Sequence, residues 1–248
     1  MWNKISVLVC KDLKSLFYSP IAYALGAIFS LLNGYTFWII INILNNPNGE
    51  ISENIIQLFF GGTIFFWIGL LIIIPIITMR SFSEEKKSGT IELLFTAPIS
   101  DIQIVLSKFI GIFLFYIILW IPTILYILYI KQFGQIDFRV LCSVYFGTFL
   151  IGAVMISFGL LFSSITKNQI IAAVLCFFVL LALFSVGFIS IFIKESFLSK
   201  FIDYIWLIGH FEDFSKGLID LKRIVYYCSL VFFNIYLTVQ VIQLRIRN

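Results

Sequence analysis

The chain has 248 residues, of which 61% are apolar and only 12% are charged, with a net charge of +4. Soluble domains carry roughly 25% charged residues, so this composition excludes a soluble globular protein and predicts one all-α integral membrane domain over residues 1–248. Basic side chains facing anionic lipid account for the charge, and no basic segment interleaved with aromatic residues suggests nucleic-acid binding.

The N-terminal segment, residues 1–19, has apolar residues at helical spacing. They are Trp2, Ile5, Val9, Leu13, Leu16 and Phe17. Lysines between them can extend toward lipid headgroups. This pattern predicts an amphipathic helix lying at the membrane interface.

Six apolar segments are each long enough to cross a bilayer core, which takes about 20 residues. We expect spans at 21–44, 56–79, 102–130, 140–165, 170–193 and 224–244. Six spans place both termini on one side. The first loop contains Glu50 and Glu53 but no Lys or Arg, whereas the loop after span two contains three basic residues, so the positive-inside rule predicts cytoplasmic termini.

The loop over residues 80–100, RSFSEEKKSGTIELLFTAPIS, must lie in water because a bilayer core cannot hold its charges unpaired. Ser81 and Glu84 form a capping-box pattern that predicts a short helix containing Glu84–Lys87, ended by Ser88-Gly89. Thr90 can cap a second helix over residues 91–96. Ser100 and Gln103 form another capping box that begins span three.

Apolar residues in this loop suggest a surface for a partner protein. The alternative is a plain cytoplasmic connector. The chain has no GxxxxGK[ST] motif, so it lacks that phosphate cradle. We therefore expect no cofactor on this chain, with ATP and Mg²⁺ on a partner if the protein is ATP-driven.

The segment over residues 194–223 is amphipathic from Phe197 to Ile208, which predicts a helix at the extracytoplasmic face or one re-entering partway. His210, the only histidine, suits a structural hydrogen bond better than a metal site. Lys108, two turns into span three, either extends to the headgroups or has a gating or ion-pair role. Small residues four apart on span four, such as Ser143/Gly147 and Gly159/Ser163, favour close helix packing.

Three segments resemble the bacterial type-two ABC exporter permeases, and the gliding-motility-associated permeases most of all. The loop RSFSEEKKSGTIELLFTAPIS is similar to that family's loop after span two. The segment KDLKSLFYSPIAY resembles its N-terminal helix. WLIGHFEDFSKGLIDLKRIVYY resembles its segment before the last span.

The resemblance implies a non-catalytic exporter permease in the bacterial inner membrane, working as a homodimer or heterodimer with a cytoplasmic ABC ATPase. Its ATPase-coupling residues would be Glu84, Glu85, Thr90, Ile91, Glu92, Leu93, Leu94 and Phe95. Its extracytoplasmic gate would contain Trp206, His210, Phe211, Glu212, Phe214, Gly217 and Asp220. An alternative is a membrane anchor or force-transmitting scaffold of a surface machine that transports nothing. An embedded enzyme is disfavoured because no catalytic set is recognisable.

Overall fold

The computed structural model describes residues 2–45, 55–90, 99–132, 137–192 and 204–246, and within these ranges it contains helices and no strand. Six of the helical stretches are long and apolar enough to cross a membrane, which confirms the predicted fold class. The helices are α1 Trp2–Tyr18, α2 Pro20–Leu44, α3 Ile55–Gln57, α4 Ile64–Thr78, α5 Arg80–Ser88, α6 Asp101–Trp120, α7 Thr123–Ile130, α8 Phe138–Ile165, α9 Gln169–Phe192, α10 Leu207–Ser215 and α11 Leu221–Ile246.

Span two is interrupted, although its sequence predicts a continuous helix over residues 56–79. A wide π-helical turn over Leu58–Gly62 separates α3 from α4. Gly61 has φ +94°, a left-handed conformation that costs glycine little, and Thr63 is extended. The Trp67 indole N–H donates to the Gly61 carbonyl at 3.0 Å, which satisfies a backbone acceptor at the break.

The predicted capping box at Ser81 is wrong. Met79 has helical backbone angles, so the chain passes from α4 into α5 with only a local turn, and no side chain caps α5. The predicted stop is confirmed, because Gly89 adopts φ +72° at the end of α5. The second predicted capping box is also confirmed: Ser100 and Gln103 cap α6 reciprocally.

Helix α8 lies at the centre of the bundle, and 67% of its most apolar window is buried, against 22% for α9. The small residues predicted to allow close packing on span four are all buried. A Cβ added at Gly147 would lie 2.7 Å from the Phe214 Cβ, and one added at Gly159 would overlap the Thr78 side chain. The predicted close packing along this helix is therefore confirmed.

The bundle has two ends with different elements. Helix α1, helix α5 and the turn between α8 and α9 lie at one end, and α10 packs at the other against the first half of α8 and the break in span two. Of the predicted amphipathic segment, residues 193–203 lie outside the described residues. The part that forms α10 is inserted among the spans, with Leu207, Phe211 and Phe214 buried.

Candidate functional site

Helix α5 carries the charges that follow span two, and it has two distinct faces. Phe82 and Ser83 are buried against the bundle, whereas Glu84, Lys87 and Ser88 are exposed. The exposed face is therefore open at the aqueous end of the bundle, and the buried face is bound to neighbouring spans.

The end of span four binds the buried face of α5 through one hydroxyl group. Ser163 Oγ accepts from the backbone N–H groups of Phe82 and Ser83 at 3.0 and 3.2 Å and donates to the Met79 carbonyl at 3.0 Å. The Lys86 ammonium also donates to the Ser164 carbonyl. These bonds join the first turn of α5 to the end of α8, so a displacement of one helix strains the other.

Span three binds α5 through a buried ion pair. Lys108 Nζ lies 2.8 Å from Glu85 Oε1, with side-chain exposures of 6% and 18%. The ammonium also lies 5.1 Å from the centre of the Phe82 ring, a cation–π distance. Of the interpretations of Lys108, the ion pair is confirmed, because α5 brings a carboxylate to the lysine, and the extension to the headgroups stays a prediction.

The N-terminal helix reaches the same group. Helix α1 packs along α6, and the Asp12 Cβ lies beside Gly111. Burial raises the pKa of the Asp12 carboxyl, while the Lys108 ammonium opposes that rise. Arg80 extends the contacts to span one by donating to Ser19 Oγ at 2.9 Å.

The predicted coupling residues divide into three groups. Glu84 and Thr90 are exposed, Glu85 faces Lys108, and Ile91, Glu92, Leu93, Leu94 and Phe95 lie outside the described residues. The Thr90 and Ser88 hydroxyls are 2.9 Å apart just after the end of α5. The structure therefore brings Glu85 to the spans and leaves Glu84 and Thr90 at the aqueous surface.

At the opposite end of the bundle, the buried His210 is the centre of a polar cluster whose other members are partly exposed. Its Nε2 donates to the Tyr204 carbonyl at 2.8 Å, and its Nδ1 contacts the Arg223 guanidinium. Because a carbonyl only accepts and a guanidinium only donates, these contacts select the neutral ring protonated at Nε2. Burial lowers the pKa of His210; the Tyr204 bond opposes that shift, and the Arg223 charge reinforces it. The predicted hydrogen-bonding role is confirmed.

Sequence reasoning missed two partners of this histidine. Arg223 pairs with Asp213 through Nη2 at 2.8 Å and Nε at 2.9 Å, and the Tyr226 ring centre lies 4.5 Å from that of His210. His210 and Asp213 are three residues apart on one face of a helix, and this spacing could have predicted that they belong to one polar cluster. Arg223 could not be assigned from the sequence, because its contact depends on how α11 packs against α10.

The other predicted gate residues mainly pack or end helices. Phe211 packs against Trp67 and Gly61, and Phe214 against Gly147. The Trp206 indole covers Gly187, and Glu212 is exposed. Gly217 has φ +82° just after the end of α10. The Asp220 carboxylate accepts from the Lys222 N–H at 2.9 Å and so caps the start of α11. They lie with His210 at this end of the described bundle, and their role as a gate stays a prediction.

Comparison with known proteins gives one family. The model of the ABC-2 family transporter proteins matches residues 35–208, which is more than half of the chain and includes α5 and most of the spans. No curated protein matches the chain.

Proposed function

The chain belongs to the ABC-2 transporter family and is a membrane permease component of an ABC transporter; from that premise we propose that it is the permease of an ATP-driven exporter and that α5 transmits the ATPase movement to the spans. The observation that carries this proposal is the attachment of α5 to three spans. It follows α4 directly, pairs with Lys108 on α6 and bonds to Ser163 on α8.

A helix held in this way moves with the spans as a rigid body. A displacement of residues 90–96 would move the C-terminal end of α5, and the Glu85–Lys108 pair would pass this movement to α6. Two contacts of different chemistry make the connection stiff, because the ion pair resists separation and the Ser163 bonds resist sliding.

The energy source lies on another chain in this proposal. The sequence has no GxxxxGK[ST] motif, so ATP and Mg²⁺ belong to the cytoplasmic ATPase, and this subunit is non-catalytic. We expect two permeases and two ATPases to form the working unit. The permeases are two copies of this chain or this chain and a related one, in the bacterial inner membrane with cytoplasmic termini.

At the far end of the bundle, α10 would be the gate. Its buried residues, His210, Phe211 and Phe214, fill the space between the break in span two and the first half of α8. An exporter must open this end to release its substrate, so alternating access requires α10 to move.

The experiment combines this chain with its ATPase and separates binding from transmission. Glu92→Ala and Leu94→Ala, in the predicted partner contact, should reduce co-purification of the ATPase by about tenfold, since each removes a contact of a helix-in-groove interface. Lys87→Gln, on the exposed face of α5, is the matched control. Lys108→Met should leave the ATPase bound.

The transmitted movement is measured at the opposite end of the bundle. A cysteine placed at the buried Ser215, in a chain whose four native cysteines are replaced, should react faster with maleimide when the complex is trapped with ATP and vanadate. Lys108→Met should abolish that acceleration. If the ATPase still binds both the Glu92→Ala and the Leu94→Ala variant, the proposed coupling contact is overturned.

A second function keeps one observation in its favour, the resemblance of the loop and the α10 segment to gliding-motility permeases. In that case the chain would transmit force to a surface machine without transport. An ATP-bound complex that hydrolyses ATP with no change at position 215 would support this scaffold function over export.

A further inference from the structure

A cavity of about 550 Å³ lies where α1, the start of α2, the junction of α4 and α5, and α6 meet. This volume is within the range of small-molecule sites, which is roughly 300–1,000 Å³. Span one begins here, α4 ends here, and span three contributes residues from Lys108 to Phe115, so the cavity lies near the end of the bundle where α1 and α5 pack.

The cavity has a polar end and an apolar wall. Leu25, Ile77 and Phe115 form part of the wall, which continues into the membrane-spanning parts of their helices. The polar end contains two cations, Arg80 and Lys108, and three carboxylates. A ligand that fits both parts is an amphiphile with a charged head.

Two polar atoms at this end have no hydrogen-bond partner among the described residues. They are Arg80 Nε and Glu85 Oε2, and both are buried. Glu85 Oε1 is occupied by Lys108, and Arg80 Nη1 by Ser19. Glu84 Oε2 lies 3.8 Å from Arg80 Nε, which is too far for a hydrogen bond. The cavity therefore offers one charged donor and one charged acceptor that lack a hydrogen bond, which is costly for buried atoms.

We propose that this cavity binds the headgroup of phosphatidylethanolamine. Its phosphate would accept from Arg80 Nε, and its ammonium would donate to Glu85 Oε2 and to the Asp12 carboxylate. Its acyl chains would follow the apolar wall into the bilayer. The head is zwitterionic and has three N–H donors, so it matches both unused atoms at once.

Other common lipids match less well. The trimethylammonium of phosphatidylcholine has no N–H to donate to Glu85. Phosphatidylglycerol brings a phosphate but no cation, and the lining already has one carboxylate more than it has cations. The expected order of binding is therefore phosphatidylethanolamine, then phosphatidylcholine, then phosphatidylglycerol.

The test uses the full delipidated chain in maltoside micelles and needs no ATPase. Dioctanoyl forms of the three lipids are titrated, and native mass spectrometry counts the bound molecules. Arg80→Gln should weaken phosphatidylethanolamine binding by about tenfold, the usual effect of losing a charged hydrogen bond. Lys14→Gln, an exposed change on α1 outside this cavity, should leave binding unchanged.

Asp12→Asn is the second variant, because it leaves Arg80 and Ser19 in place. It should reduce the preference for phosphatidylethanolamine over phosphatidylcholine while retaining binding of both lipids. The proposal is overturned if phosphatidylglycerol binds as well as phosphatidylethanolamine, or if Arg80→Gln and Lys14→Gln have equal effects. A melting temperature for each variant shows that lost binding is not lost folding.

Discussion

At the scale of single residues, Lys108 explains how a charge is held inside an apolar helix. A lone ammonium at this depth is costly, and the cost falls when a carboxylate and an aromatic face surround it. Glu85 and Phe82 supply both from one helix, three residues apart. The lysine therefore stabilises one particular position of α5 and disfavours others.

This dependence predicts the effect of breaking the pair. Glu85→Gln or Lys108→Met alone should each reduce the free energy of unfolding by about 1.5–3 kcal/mol, because each breaks the charged hydrogen bond of a largely buried pair. The double variant should recover most of the loss. Glu84→Gln is the control: its pair with Arg80 is long, at 3.8 Å, and exposed, so its loss should cost under about 1 kcal/mol. Additive single losses, measured by denaturant titration in micelles, would contradict a direct coupling.

His210 predicts a dependence of stability on pH. Its pKa is lowered in the folded chain, so below the unfolded value near 6.5 the unfolded chain binds more protons. This contribution to stability is full above about pH 6.5 and is lost as the pH falls through the folded pKa. A protonated ring would also present a second N–H to Arg223. His210→Gln should therefore flatten the fall in melting temperature between about pH 7 and 5; an unchanged slope would place the titrating group elsewhere.

At the scale of elements, the sequence predicts the structural features that neighbouring residues determine and misses the features that depend on packing between helices. Gly89 and the Ser100 capping box act within one turn, and both were predicted. The break at Gly61 was missed, because it is stabilised by Trp67 on the next turn and Phe211 from α10. Glu85 and Lys108 are likewise separated by a loop, and their contact depends on how two helices pack.

Alanine at two of the glycines with positive φ, Gly89 and Gly61, separates the cost of backbone strain from the cost of a steric clash. Gly89→Ala places a Cβ in open space at φ +72°, so it should cost only the conformational term of about 1 kcal/mol. Gly61→Ala adds a Cβ 2.7 Å from a Phe211 ring carbon and should cost about 1–3 kcal/mol more. Denaturant titration of both variants checks this difference. Equal losses would mean that Phe211 shifts freely and does not hold the break.

At the scale of the whole molecule, the six spans differ in how much of their surface neighbouring helices bury. Spans two, three and four are more than half buried in their most apolar windows, whereas spans one, five and six are mostly exposed to lipid or a partner. Hydropathy alone cannot make this division, because all six are apolar. The small residues of span four predicted close helix packing but did not by themselves place that span at the centre. A path of packed contacts runs from α5 through α8 to α10 and so connects the two ends of the bundle.

The orientation of this path in the membrane gives the last prediction. If the termini and α5 are cytoplasmic, the turn between α10 and α11 must face outward, because these groups lie at opposite ends of the bundle. Single cysteines at Ser88 and Leu218, both exposed, are placed in a chain without its native cysteines. In right-side-out vesicles an impermeant maleimide should label position 218 and spare 88, and in inverted vesicles the pattern should reverse. Labelling of position 88 from outside would invert the topology, place α10 at the cytoplasmic face and exclude α5 as the contact for a cytoplasmic ATPase.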